Sequence, residues 1–310
     1  MQYLLFNHLN LRKSIWLLFI QLCAITGSAQ ISGLILDKSS GKPVPYASIW
    51  IEGEQIGTTS EEDGSFHLNV KSEDYLKRYL TISCVGYLKS KNEIAVVPIK
   101  VELSPASYLL KEVVVFSAKN TLTKKLDLLD KNQIRRWFGA ISPNMMAHLY
   151  PYTEDFKTLP FLRKILLVSD SKINTAQFRL RLFEVADSGE PGIDLIEPMF
   201  AYAKKGRNYV TVDLTEQNFK VPEKGFFVAC EWLILDRNKS FTKTYKEHTD
   251  KKINVIGYEP SIATTLPGKE SRNWIYQSGT WKKTYDLWDG KTLNKNLPVE
   301  ELLFQLVLSN

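Results

Sequence analysis

Residues 58–70 read TTSEEDGSFHLNV, and three consecutive acids, Glu61, Glu62 and Asp63, run into Gly64 inside an otherwise apolar region. Carboxylates this close can hold a calcium ion, supply catalytic acids and bases, or simply serve a chain reversal. A calcium loop with Gly64 at its sixth position would place Thr59 at the first and Val70 at the twelfth, and neither supplies the ligand required there. Asp63 and Gly64 between two strand-like runs instead predict a hairpin turn, with Gly64 at positive φ and Phe66 and Leu68 returning to the core.

Other reactive patterns were sought with the same test. A zinc peptidase site opens with a His and a Glu three residues on, but His67, His148 and His248 are followed at that spacing by Val70, Pro151 and Lys251, and H-E-x-x-H is absent. The DGKT at 289–292 ends like a phosphate-binding loop, yet Tyr285 stands where that loop needs Gly; SGK at 40–42 fails the same way at Leu36. No G-x-S-x-G occurs. Asp187, Glu190 and Asp194 could form an acid pair, but in DSGEPGID they flank Gly and Pro and read as a loop. The expectation is a protein that is not an enzyme, with no catalytic residue, no metal and no cofactor.

What remains is aromatic and basic. Trp232, Trp274, Trp281 and Trp288, with Tyr276 and Tyr285, gather near the C-terminal end, where flat rings can stack on sugars or fill a core. Within TWKKTYDLW, Trp281, Tyr285 and Asp286 are the candidate sugar platform. In QFRLRLF, Phe178, Leu180 and Leu182 face one way while Arg179 and Arg181 face the other, which predicts a strand with a wet, basic outer face able to join in binding.

These residues must be placed by elements that begin after an export signal. Arg12 and Lys13, the apolar SIWLLFIQLCAIT and the small GSA read as a secretory signal peptide over residues 1–29, with cleavage after Ala29. Cys23 follows Leu22 rather than a small residue, so a lipid anchor there is the lesser alternative. No later segment offers the roughly 20 apolar residues of a membrane helix. The expected location is therefore periplasm, outer-membrane surface or medium.

The remaining chain is long enough for two domains. Residues 30–116 carry 9 Lys and Arg against 11 Asp and Glu, whereas residues 117–310 carry 29 against 23. That surplus is spread over a long segment, reads as a solvated surface and gives no reason to invoke nucleic acid. Cys84 and Cys230 sit in apolar strand-like runs and read as buried free thiols, a disulfide between the two halves being the alternative.

From Gln30 to about Ser117, runs rich in Val, Ile, Thr, Tyr and Phe alternate with Gly, Pro, Ser and Asp, the pattern of an all-β sandwich. In YASIWIEG, Ala47, Ile49 and Ile51 should enter the core, with Tyr46, Ser48, Trp50 and Glu52 on the other face. Residues 118–139 place Leu122, Leu126, Leu129 and Ile134 near helical spacing, predicting an amphipathic linker helix within residues 117–140 that packs on a domain or, less simply, lies on a membrane. Strands return over residues 141–310, separated by turns such as VPEKG and LPGKE, and predict a jelly-roll-like β-sandwich.

ISGLILDKSSGKPVPYASIWIEGEQIGTTSEEDGSFHLNV, then LTISCVGY and VELSPASYLLKEVVV, resembles the carboxypeptidase regulatory-like domain over residues 30–116. That resemblance implies a prealbumin-like Greek-key sandwich, an accessory domain that often opens TonB-dependent receptors of Gram-negative envelopes. Only 194 residues follow residue 116, which is short for the plug and barrel of such a receptor, so a different kind of envelope protein is expected. The leading expectation is non-catalytic binding or assembly with a glycan or another envelope protein as partner. A glycan- or peptide-directed hydrolase with dispersed carboxylates and a structural subunit of an envelope complex are the alternatives.

Overall fold

The structure, a computed structural model, describes residues 29–70, 75, 77–95, 98–106, 121–245, 252–266, 272–284 and 301–310. The expected export signal, the EVVV run at 112–115, and Tyr285 and Asp286 lie outside the described residues.

The N-terminal part contains β1 (Ala29–Asp37), β2 (Ser48–Ile51), β3 (Gly57–Thr59), β4 (Ser65–Val70), β5 (Tyr79–Ser83), β6 (Ser90–Glu93) and β7 (Ile99–Leu103). Among the described residues they form a three-stranded sheet, β4-β1-β7, and a four-stranded sheet, β3-β2-β5-β6. Alternating residues of both sheets meet in one core, where Ile31, Ile35, Ala47, Ile49, Ile51, Phe66, Leu80 and Ile82 are buried. This is an all-β sandwich.

The second part contains β8 (Thr123–Leu126), β9 (Arg136–Ala140), β10 (Asn144–Tyr150), β11 (Phe161–Ser171), β12 (Ala176–Val185), β13 (Pro191–Asp194), β14 (Met199–Ala203), β15 (Gly206–Asp213), β16 (Phe226–Trp232), β17 (Lys239–Tyr245), β18 (Lys252–Thr265), β19 (Asn273–Gln277), β20 (Thr280–Lys283), β21 (Glu301–Leu302) and β22 (Phe304–Ser309). One sheet runs β13-β12-β16-β10-β19-β20 with β14 also on β12. The other runs β17-β18-β11-β22-β8 with β15, β21 and β9 added. Phe178, Leu180, Leu182, Val228, Cys230 and Trp232 from the first sheet meet Ile165, Leu167, Phe304, Leu306 and Leu308 from the second in the larger core. A short helix, α1 (Glu154–Thr158), inserts Phe156 into that core beside Phe226. No helix among the described residues is long and apolar enough to cross a membrane.

Two expectations are corrected. Over the described residues 121–140 the linker helix is not formed: β8 pairs with β22 and β9 pairs with β18. Of the four stripe residues only Leu122 is exposed; Leu126 packs on the larger core and Leu129 and Ile134 on a smaller cluster, and strands β22 and β18 gave this segment ladder partners that outweighed its helical spacing. The Asp63-Gly64 turn is real, with Gly64 at φ +76°, and Asp63 Oδ1 accepts from Ser65 N at 2.9 Å and from Ser65 Oγ at 2.6 Å. It is not a hairpin, because β3 pairs with β2 in one sheet while β4 pairs with β1 in the other. A Cβ on Gly64 would lie 2.6 Å from the Ile35 carbonyl oxygen, so the crossing between sheets requires glycine there.

The strand alternation was read correctly on its inner faces and incompletely on its outer ones. Every residue of β2 is buried, Ser48 and Trp50 included, because the outer face of its sheet is covered by β12 and its neighbours. Trp50 Nε1 donates to the Pro143 carbonyl at 3.2 Å, and its ring stands edge-on to Tyr276 at 5.8 Å. Gly57 allows the approach, since a Cβ there would sit 2.9 Å from Pro143 Cδ. The acidic stretch also takes part. Thr59 Oγ1 accepts from Ile234 N at 3.0 Å, Glu61 Oε1 accepts from Asp236 N at 2.8 Å, and Glu62 lies 3.5 Å from Arg237. The carboxylates at 61 and 62 therefore reach across to the second sandwich.

These contacts differ in weight. Trp50 is 2% exposed, so Trp50→Ala should cost about 3–5 kcal/mol in urea denaturation. The Glu62 side chain is 73% exposed, and Glu62→Ala should cost less than about 1 kcal/mol. Equal losses would contradict this account of the interface.

Candidate functional site: the cleft between the sandwiches

The outer face of the seven-stranded sheet carries charges that sequence alternation would leave in water. Arg179 on β12 lies directly opposite Glu231 on β16. Arg179 Nη2 donates to Glu231 Oε1 at 2.9 Å and to the Tyr46 carbonyl at 3.0 Å, which ties the pair to the first sandwich. Ser48 Oγ donates to the same carboxylate at 3.5 Å. Two residues along the strand, Arg181 grips Asp194 with two bonds of 2.9 and 2.6 Å, and its Nη1 lies 3.5 Å from Glu231 Oε2. Arg179 and Glu231 are buried, at 6% and 3% exposed. The expectation of a wet basic face is thus corrected: the first sandwich covers it, and acidic partners neutralise it.

Beside this network a cleft of about 360 Å³ opens between the sandwiches. Trp50 enters from β2, Phe183 from β12, Tyr276 from β19 and Trp281 from β20. Trp281 packs at 5.5 Å on Phe183 and at 5.1 Å on Tyr276, while the Arg181 guanidinium lies over the Phe183 ring at 4.6 Å. Tyr276 and Trp281 are cross-strand partners on β19 and β20, so the sheet itself holds their rings together. The structure brings Trp281, Arg179 and Arg181 to one place. Asp63 and Gly64 belong to the turn, away from the cleft lining.

Sequence reading missed Glu231, Asp194 as a partner of Arg181, Trp50, Tyr276 as part of the wall, and Phe183. One signal was available for Glu231, a lone acid within the apolar FFVACEWLIL, since a charge inside a buried strand needs a counter-charge nearby. Trp50 carried no such signal, because its burial depends on a domain remote in sequence.

The electrostatics limit what the cleft can do. Burial would raise the Glu231 pKa, but the Arg179 and Arg181 guanidiniums and their hydrogen bonds outweigh it and hold the carboxyl below its ordinary value. A general acid needs the opposite shift. Burial pushes the Cys84 thiol, also on the cleft wall, up to about 11, which leaves it protonated and a poor nucleophile. Cys84 and Cys230 are both free. Asp187, weighed with Asp194 as an acid pair, is bound instead to Lys224 at 2.9 Å on the surface. Carboxyls with raised pKa values, Asp127 and Glu301, owe this first to burial and do not line the cleft. Among the described residues no group of three or more His, Cys, Asp or Glu could hold a metal.

Removing Glu231 leaves two guanidiniums without their shared partner, so Glu231→Ala should cost about 3–5 kcal/mol in chemical denaturation. The pH dependence has a definite sign. A carboxyl lowered in the folded state contributes fully above its unfolded pKa, about 4.3, and that contribution fades as pH falls through the folded value. Below about pH 4.3, Glu231→Gln should therefore lose stability less steeply than the parent. Parallel acid limbs in a urea series would refute the assignment.

Residues 31–115 match the family described as CarboxypepD_reg-like domain. Among curated proteins, the TonB-dependent receptor SusC of Bacteroides thetaiotaomicron is 24% identical over 134 residues, covering 42% of this chain and 13% of the receptor. The chain thus spans a small fraction of the length of that relative. A solved structure of infectious bursal disease virus, Gx strain, aligns over 91% of this chain and 72% of its own at 10% identity, but its TM-score of 0.23 supports no structural argument. The seven strands of the first sandwich and the match over the same residues agree: residues 31–115 are a CarboxypepD_reg-like domain.

Proposed function

We propose that this is an exported protein of a bacterial envelope that binds a glycan, without catalysis, in the cleft between its sandwiches. The observation that carries the reading is the half-buried pair of rings, Tyr276 and Trp281, backed by the buried Trp50 and Phe183, beside the ion network of Arg179, Arg181, Asp194 and Glu231. Aromatic faces supply apolar contact to a sugar ring, and fixed charges at the rim supply hydrogen bonds to hydroxyls. Envelope residence is supported by the apolar stretch at the N-terminus, which resembles a signal peptide, and by the likeness of residues 31–115 to a receptor named as TonB-dependent. The absence of catalysis is supported by the lowered Glu231 and the protonated Cys84.

A hydrolase is the second reading, and one observation favours it. Asp127 and Glu301 both have raised pKa values, as an acid catalyst needs, and each feels the charge of Arg272. A glycan array followed by calorimetry separates the readings. Binding without turnover, weakened about tenfold or more by Trp281→Ala, is the expected result. Turnover abolished by Glu301→Gln but untouched by Trp281→Ala would select the hydrolase, and an array with no glycan retained would sink the sugar reading.

A further inference from the structure

A broader groove of about 1000 Å³ runs over the end of the second sandwich and shares Glu184, Leu195 and Ile196 with the cleft as common wall. The first space is narrow and partly walled by aromatic rings, and the second is wider, with apolar and polar side chains mixed along it. We propose, resting on the glycan reading, that the ligand is an extended, uncharged glycan chain, one end held against Trp281 and the rest lying along this groove.

Three features of the groove support an uncharged chain. Its charges are mixed, with Lys157, Lys220 and Lys224 against Asp187 and Glu223, and Asp187 is bound to Lys224. A strongly anionic or cationic polymer would find no field of one sign to hold it. Tyr152, 37% exposed, offers a ring in the groove that is not part of the cleft wall, and Gln217 offers an amide that can both donate and accept. Together the two spaces exceed what a small single ligand fills, given that pockets for drug-sized molecules run from about 300 to 1,000 Å³. A chain that occupies both gains contacts with length until the groove is filled.

The test uses the purified protein and linear, neutral oligosaccharides of one, three and six units built from glucose or from N-acetylglucosamine, measured by calorimetry. In at least one series, the six-unit chain should bind about tenfold more tightly than the three-unit chain. Trp281→Ala should weaken both. Tyr152→Ala should remove the gain of the longer chain and leave the shorter one unchanged, and Gln217→Ala provides the same readout if Tyr152→Ala lowers the melting temperature. Equal affinity at three and six units, still lost in Trp281→Ala, overturns the extended chain and leaves the cleft reading standing. Binding to neither series overturns both.

Discussion

The molecule is organised around one buried carboxylate. Glu231 lies between Arg179 and Arg181 on a sheet whose other face already forms the larger core. In water such pairs contribute little, and once covered they must recover several kcal/mol of lost hydration for each ion. The cover is the first sandwich, through the Tyr46 carbonyl, Ser48 and Trp50. The apolar part of the interface includes Trp50, whose buried ring stands edge-on to Tyr276 and removes apolar area from water. The charges do something different. A shifted docking would leave the Arg179–Glu231 and Arg181–Asp194 pairs intact, since all four residues lie in one sheet, but would take the Tyr46 carbonyl from Arg179 and Ser48 from Glu231, so those two bonds favour the observed docking.

This constraint explains what could be read from the residues alone. Within each sandwich, period-2 alternation identified the core: Ala47, Ile49 and Ile51 on β2, and Phe178, Leu180 and Leu182 on β12, are all buried. The outer faces of the same strands defeated the rule. Ser48, Trp50 and Arg179 are as buried as their neighbours, because a second sheet lies against them. Alternation reports one buried face, and nothing local reveals that the polar face also has a cover.

The misplaced helix has a related cause. Leu122, Leu126, Leu129 and Ile134 fit helical spacing, but spacing is a weak signal against strands that lack neighbours, and residues 123–126 and 136–140 complete the edges beside β22 and β18. Strand β10, NMMAHLY, escaped notice for the opposite reason. Met, Ala and His carry little strand preference, yet this strand sits centrally, between β16 and β19. His148 shows how buried it is: burial depresses its pKa to about 4 despite a 2.9 Å hydrogen bond with Asn273, so the ring is neutral and structural. Of the candidate site, sequence named Trp281, Arg179 and Arg181 but assigned the arginines to solvent.

The same double burial bears on function. A sheet covered on both faces can leave an opening only where its cover stops short, and here it stops beside Trp281 and Asp194. The groups at that opening come from both sandwiches, so neither domain possesses the cleft alone. Its charged members are already committed to one another: Arg181 to Asp194 and Glu231, Arg179 to Glu231 and Tyr46. Groups so committed reorganise little when a ligand arrives, which favours fixed recognition and disfavours proton transfer. Of the rings in its wall, Tyr276 and Trp281 are half-buried and keep part of their surface open. A ligand adds contacts there without dismantling the ion network or its bonds to Tyr46 and Ser48.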